Sequence, residues 1–99
     1  MLFRSCEFRG LAAAYGGAVF CDSGSSPLFQ DCVFLNNRAW AVGGAIACVS
    51  ASSPTLIGCL LVDNSAGSAG GAIHAAAGSI PSLVSCTLAG NGGEVGSGL

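Results

Sequence analysis

GGAIACVSASSP, from Gly43 to Pro54, joins two glycines, an apolar pair, a cysteine and a serine cluster, and closes on proline. The arrangement recurs as GGAVFCDSGSSP from Gly16 to Pro27 and as GGAIHAAAGSIP from Gly70 to Pro81. Four residue series run through the copies in step: Gly17, Gly44 and Gly71; Pro27, Pro54 and Pro81; Cys32, Cys59 and Cys86; Asn37, Asn64 and Asn91. Each advances by 27 residues. LFRSCEF (Leu2–Phe8) overlays LFQDCVF (Leu28–Phe34), and Cys6 precedes Cys32 by 26, so the first unit is one residue short. A fixed period of this kind marks a repeat architecture. The repeat divides one domain, 1–99, into units 1–26, 27–53, 54–80 and a partial 81–99.

Within a unit the apolar period is two. Ile46 and Cys48 alternate with Ala45 and Ala47, and Cys59 and Leu61 alternate with Leu60 and Val62. Glycine, serine, asparagine and proline interrupt the alternation. Two or three short strands per unit, joined by bends, describe one coil of a parallel β-helix. The L-x-x-L-x-L spacing of leucine-rich repeats is absent. The expected fold is all-β: a right-handed, single-stranded parallel β-helix of about 3.7 coils, uncapped at its ends.

Stacking the units gives inward columns. Val19, Ile46 and Ile73 form one, Phe3, Phe29, Leu56 and Leu83 a second, and Phe8, Phe34, Leu61 and Leu88 a third. Cys6, Cys32, Cys59 and Cys86 form a fourth, and Cys21, Cys48 and Ala75 a fifth. Gly17, Gly44 and Gly71 permit a bend that a side chain would obstruct. Asn37, Asn64 and Asn91 are expected to stack at another bend, their amides bonding along the column or to backbone groups.

The units resemble the repeats of the chlamydial polymorphic membrane proteins, whose paired motifs are GGA followed by Ile, Leu or Val, and Phe-x-x-Asn. GGAV at Gly16 and GGAI at Gly43 and Gly70 match the first, and FLNN (Phe34–Asn37) matches the second. LVDN and LAGN keep the asparagine with Leu61 and Leu88 in place of Phe; FRGL keeps Phe8 without the asparagine. The resemblance implies a right-handed parallel β-helix and an extracellular or cell-surface role linked to adhesion.

Composition narrows the function classes. The chain is 52% hydrophobic and 8% charged, with 16 glycines, no lysine and a net charge of -2. Nucleic acid is therefore not an expected partner, since phosphate binding needs a basic patch. Residues 39–62 carry no charge, a run long enough to span a bilayer. Pro54, the serines and the unbroken repeat argue against a transmembrane segment, and Arg4 and Arg9 ahead of GLAAAYGGAVF read as repeat, not as a signal peptide.

No residue is assigned to catalysis, to a cofactor or to a metal. A column of cysteines is linear, whereas zinc needs thiolates converging tetrahedrally. Disulfides between coils are conceivable, but in-register β-carbons stand somewhat too far apart, so free thiols are expected. His74, in the column of Phe20 and Ala47, is expected to face outward without a role. Glu7, Asp22, Asp31, Asp63 and Glu94 fall in different columns, unlike the clustered acids of carbohydrate-active β-helices. The threonines and the column Ser25, Ser52, Ser79 do not make an ice-binding array. Nothing in the sequence assigns a carbohydrate ligand.

Outward columns are more telling. The middle coils expose Val33, Leu35, Ile57, Leu60 and Val62, read here as one apolar face and a candidate lateral interface. Neither end shows a polar cap, and the last unit stops about 8 residues short of a full repeat, where an identical chain could continue it. The expected function is a non-enzymatic, self-assembling solenoid that stacks head to tail into filaments. The alternatives are a fragment of a larger bacterial surface passenger, as adhesin or stalk, and, more distantly, a carbohydrate-active enzyme.

Overall fold

The computed structural model describes residues 2–67, 70–76 and 78–92. They contain strands and bends, with no helix among them. The first coil carries β1 (Leu2–Arg4), β2 (Glu7–Arg9), β3 (Ala12–Tyr15) and β4 (Val19–Cys21). The second carries β5 (Leu28–Gln30), β6 (Val33–Leu35), β7 (Arg38–Val42) and β8 (Ile46–Cys48), and the third β9 (Thr55–Ile57), β10 (Leu60–Val62), β11 (Ser65–Ala66) and β12 (Ile73–Ala75). β13 (Ser82–Val84) and β14 (Thr87–Ala89) open the fourth. Each complete coil thus has four strands where the sequence pattern led us to expect two or three. The extra one is β3, β7 and β11, whose small residues (Ala12–Ala14 in β3) hide the alternation.

Like strands pair across coils into four parallel sheets: β1-β5-β9-β13, β2-β6-β10-β14, β3-β7-β11 and β4-β8-β12. The register is that of the repeat: Phe3 faces Phe29, which faces Leu56, and Cys21 faces Cys48. The result is a parallel β-solenoid of about three turns. Backbone hydrogen bonds run from coil to coil even through the bends, as in Gly17 N to Gly43 O and Gly44 N to Gly70 O, at 3.0 and 2.9 Å.

Sharp corners separate the sheets. Ser5, Asp31, Gly58 and Ser85 share one corner column, with φ of 53, 54, 63 and 53°; Gly10, Asn36, Asp63 and Gly90 share the next, with φ of 63, 55, 55 and 65°. Glycine, asparagine, aspartate and serine recur there because they tolerate the left-handed backbone best. The glycine bend is a different device. A Cβ on Gly44 would stand 2.6 Å from Ser65 N and collide with the Gly71 carbonyl, so the second glycine of each pair makes room for the neighbouring coil.

Inside, Phe29, Cys32, Phe34, Ile46, Cys48, Leu56, Cys59, Leu61 and Ile73 are fully buried. Phe3 stacks on Phe29 at 4.9 Å between centroids and Phe8 on Phe34 at 4.7 Å, while Phe29 meets Phe34 edge-on at 5.4 Å. The aromatic columns hand over to Leu56 and Leu61 in the third coil. Backbone register here places identical side-chain types directly over one another, so burial in one coil depends on its neighbours.

Candidate assembly surfaces

The first surface is the pair of end faces. Phe3, Cys6 and Phe8 of the first coil, and Leu83, Cys86 and Leu88 of the fourth, pack on the core but remain half-buried, whereas their counterparts in the middle coils are sealed. Among the described residues, β1–β4 form the edges at one end; β13 and β14, with β11 and β12, form those at the other. Edge strands of this kind are templates for further pairing.

A buried polar column reaches toward both ends. Asn37 and Asn64 are 1% and 0% exposed and Asn91 is 6%. Each Oδ1 accepts from the coil before it: Asn37 N and Nδ2 donate to Asn64 Oδ1 at 3.0 and 2.9 Å, and Asn64 N and Nδ2 to Asn91 Oδ1, both at 2.9 Å. The second hydrogen of each Nδ2 goes back to Phe8 O, Phe34 O or Leu61 O. The ladder is therefore directional, its donors aimed toward the C-terminal coils. At its start stands Leu11, whose N–H donates to Asn37 Oδ1 at 3.1 Å and which offers no amide of its own.

The candidate lateral interface is less of a unit than expected. Val33, Leu35, Leu60 and Val62 lie on β6 and β10, but Ile57 lies on β9, across the left-handed corner at Asp31 and Gly58. The five belong to two faces, not one, because the tight corner turns the chain between Ile57 and Leu60. Leu60 is exposed and the other four are half-buried. Exposed apolar side chains also occur elsewhere, at Tyr15, Phe20, Trp40, Ile80 and Val84, so the candidate patch does not stand out.

The remaining residues singled out from sequence are dispersed. Asp31 and Asp63 occupy the corner columns, their carboxylates arching over Gly58 and Gly90 of the next coil. Asp22 shapes a turn, its Oδ1 accepting from Ser23 N at 2.7 Å and its carbonyl from Ser25 Oγ at 2.6 Å. Glu7 pairs with Arg9 at 2.6 Å on the surface, a contact of little energetic weight. Glu94 lies outside the described residues. Ser52 and Ser79 are buried and linked, Ser52 N donating to Ser79 Oγ at 3.0 Å, whereas Ser25 of the first coil is exposed. No three of the described His, Cys, Asp and Glu side chains converge on one point.

His74 departs from expectation. It is half-buried, and its Nδ1 is sealed without a hydrogen-bond partner among the described residues. The bend returns over it: a Cβ on Gly70 would lie 2.7 Å from His74 Cβ.

The six cysteines are free thiols in two different settings. Cys32, Cys59 and Cys86 donate to Phe3 O, Phe29 O and Leu56 O at 3.4, 3.4 and 3.3 Å, and all four thiols of that column reach the carbonyl two residues back at 3.5 Å. Burial pushes the Cys59 thiol up to about 11. Cys21 and Cys48 instead interact with each other. Contact with Cys48 holds the Cys21 thiol below its ordinary value, and the same contact, with burial, raises that of Cys48. Sequence alone groups all six as small hydrophobes; only the register distinguishes the pair.

No family model matches the chain, and no curated protein or solved structure matches it.

Proposed function

We propose that the chain is a non-enzymatic structural solenoid that stacks head to tail into filaments by strand addition. The observation that carries this reading is the contrast along each column: Phe29 and Leu56 are fully buried, while Phe3 and Leu83 at the two ends are half-buried. A second copy in the same register would seal both apolar ends and pair the edge strands. Dispersal of the acids among corner and turn positions supports a structural role over catalysis.

Electron microscopy of the purified chain tests it. The expected result is filaments with an axial rise of about 19 Å, four coils at the usual strand spacing. A blocking variant sharpens the test. Val33, Leu60 and Thr87 donate their N–H to Cys6 O, Cys32 O and Cys59 O of the preceding coil, so Glu7, in the same column, aims its N–H out of the first coil. Glu7→Pro removes that donor from the open edge and no bond between coils. The variant is expected to keep its strand circular dichroism and lose the filaments. Dispersed wild-type chains overturn the reading.

A second reading draws on the GGA[IV] and Phe-x-x-Asn pattern: a stretch of a longer surface passenger, in which further coils of one chain cover the same ends. An extracellular or cell-surface location belongs to that reading. Folded, dispersed wild-type chains favour it.

A further inference from the structure

Cys21 and Cys48 are direct register partners on β4 and β8, and the third member of their column is Ala75. Both point into the core, 2% and 0% exposed. Their α-carbons stand one strand spacing apart, about 4.8 Å, inside the span of about 4.4–6.8 Å that a disulfide bridges. The in-register β-carbons start at about the same spacing, beyond the roughly 3.5–4.5 Å of a disulfide, so forming the bond must draw the two strands together at Cβ. In the other cysteine column every sulfur is engaged by a carbonyl oxygen. Among the described residues, neither Cys21 nor Cys48 has such a carbonyl, and the strand register instead sets the two buried side chains over each other.

Access is also unequal. Cys21 lines a cavity of about 330 Å³ walled by Phe3, Val19, Phe20, Ser25 and Pro27, and Cys48 is not part of that wall. The thiol that Cys48 holds below its ordinary value is thus the one that lines the cavity.

We propose that Cys21 and Cys48 form an oxidisable pair, converted by a hydroperoxide entering the cavity into a disulfide that ties the first coil to the second. Cys21, as thiolate, attacks a peroxide oxygen. The O–O bond breaks, hydroxide leaves and takes up, as water, the proton that Cys21 released on ionising, and Cys21 becomes a sulfenic acid. The Cys48 sulfur then attacks the Cys21 sulfur; the S–O bond breaks, the S–S bond forms, and the departing hydroxide takes the Cys48 proton as water. Two thiols lose two electrons in all, and one hydrogen peroxide becomes two waters.

The reduced full chain, treated with a few equivalents of hydrogen peroxide while its circular dichroism stays unchanged, is then denatured, alkylated and mapped by fragmentation mass spectrometry. The expected product is about 2 Da lighter than the reduced chain before alkylation, and afterwards carries one Cys21–Cys48 bond and four alkylated thiols. Cys48→Ala, which copies the Ala75 already present in the column, is expected to stop at a Cys21 sulfenic acid trapped by dimedone. Cys21→Ala is expected to leave Cys48 reduced. First oxidation within Cys6, Cys32, Cys59 and Cys86, cross-links between chains, or six alkylated thiols after treatment would each overturn the proposal.

Discussion

Two adjacent asparagines show how much a single position decides. Asn36 is exposed and holds a left-handed corner at φ 55°, whereas Asn37 is buried and carries the amide ladder. Asn36→Gly is therefore expected to change stability little. Asn64→Leu would strand Asn37 N in the interior and take one hydrogen bond each from Asn37 Nδ2, Asn91 Oδ1 and Phe34 O, at a cost of about 3 kcal/mol. Urea midpoints of the two variants check the contrast; similar values would mean that water replaces the amide. Cys59 gives a pH dependence. Its thiol is raised from the ordinary 9.0 to about 11, so the folded state prefers the protonated form. The stability this contributes is fully present below pH 9.0 and is lost as pH rises toward about 11, a fall of roughly 2 kcal/mol. Urea titrations from pH 7 to 11 should show that decline, reduced in Cys59→Ala. A flat profile for the wild type would contradict it.

At the scale of the strand and bend, the glycines sort by what stands beside them. Gly24 has φ +73° and open space around its Cβ position, so Gly24→Ala is expected to cost only about 1–2 kcal/mol of backbone strain. Gly44→Ala sets a methyl against Ser65 N and the Gly71 carbonyl, neither of which yields without breaking the coil pairing. More than about 4 kcal/mol is expected, enough to unfold so small a chain. Thermal melts of both variants decide the matter, and a folded Gly44→Ala with an unchanged midpoint would refute the close approach. The repeat period and the inward columns were legible in the sequence because packing between coils forces like residues to recur. The fourth strand was not, since the alanines of β3 have no apolar contrast to display.

For the whole molecule, the ladder's direction sets a condition on assembly. In the proposed head-to-tail junction, the Asn91 donors meet the first coil at Leu11, which has no acceptor side chain. The junction is then weaker than the interfaces inside the chain by one or two hydrogen bonds, each about 1 kcal/mol. Leu11→Asn supplies the missing oxygen, and the concentration at which filaments form should drop about five- to thirtyfold. Sedimentation over a dilution series measures it; an unchanged threshold would show that Asn91 does not abut Leu11. By itself the sequence determined the solenoid, its period and the identity of each column, because a coil of constant length superimposes residues at constant spacing. Only the tertiary structure divided the apolar face at a corner, enclosed the Nδ1 of His74, and separated a facing thiol pair from a carbonyl-bound column. Those depend on the angles of the bends and on which atoms converge across them, and a one-dimensional repeat carries neither.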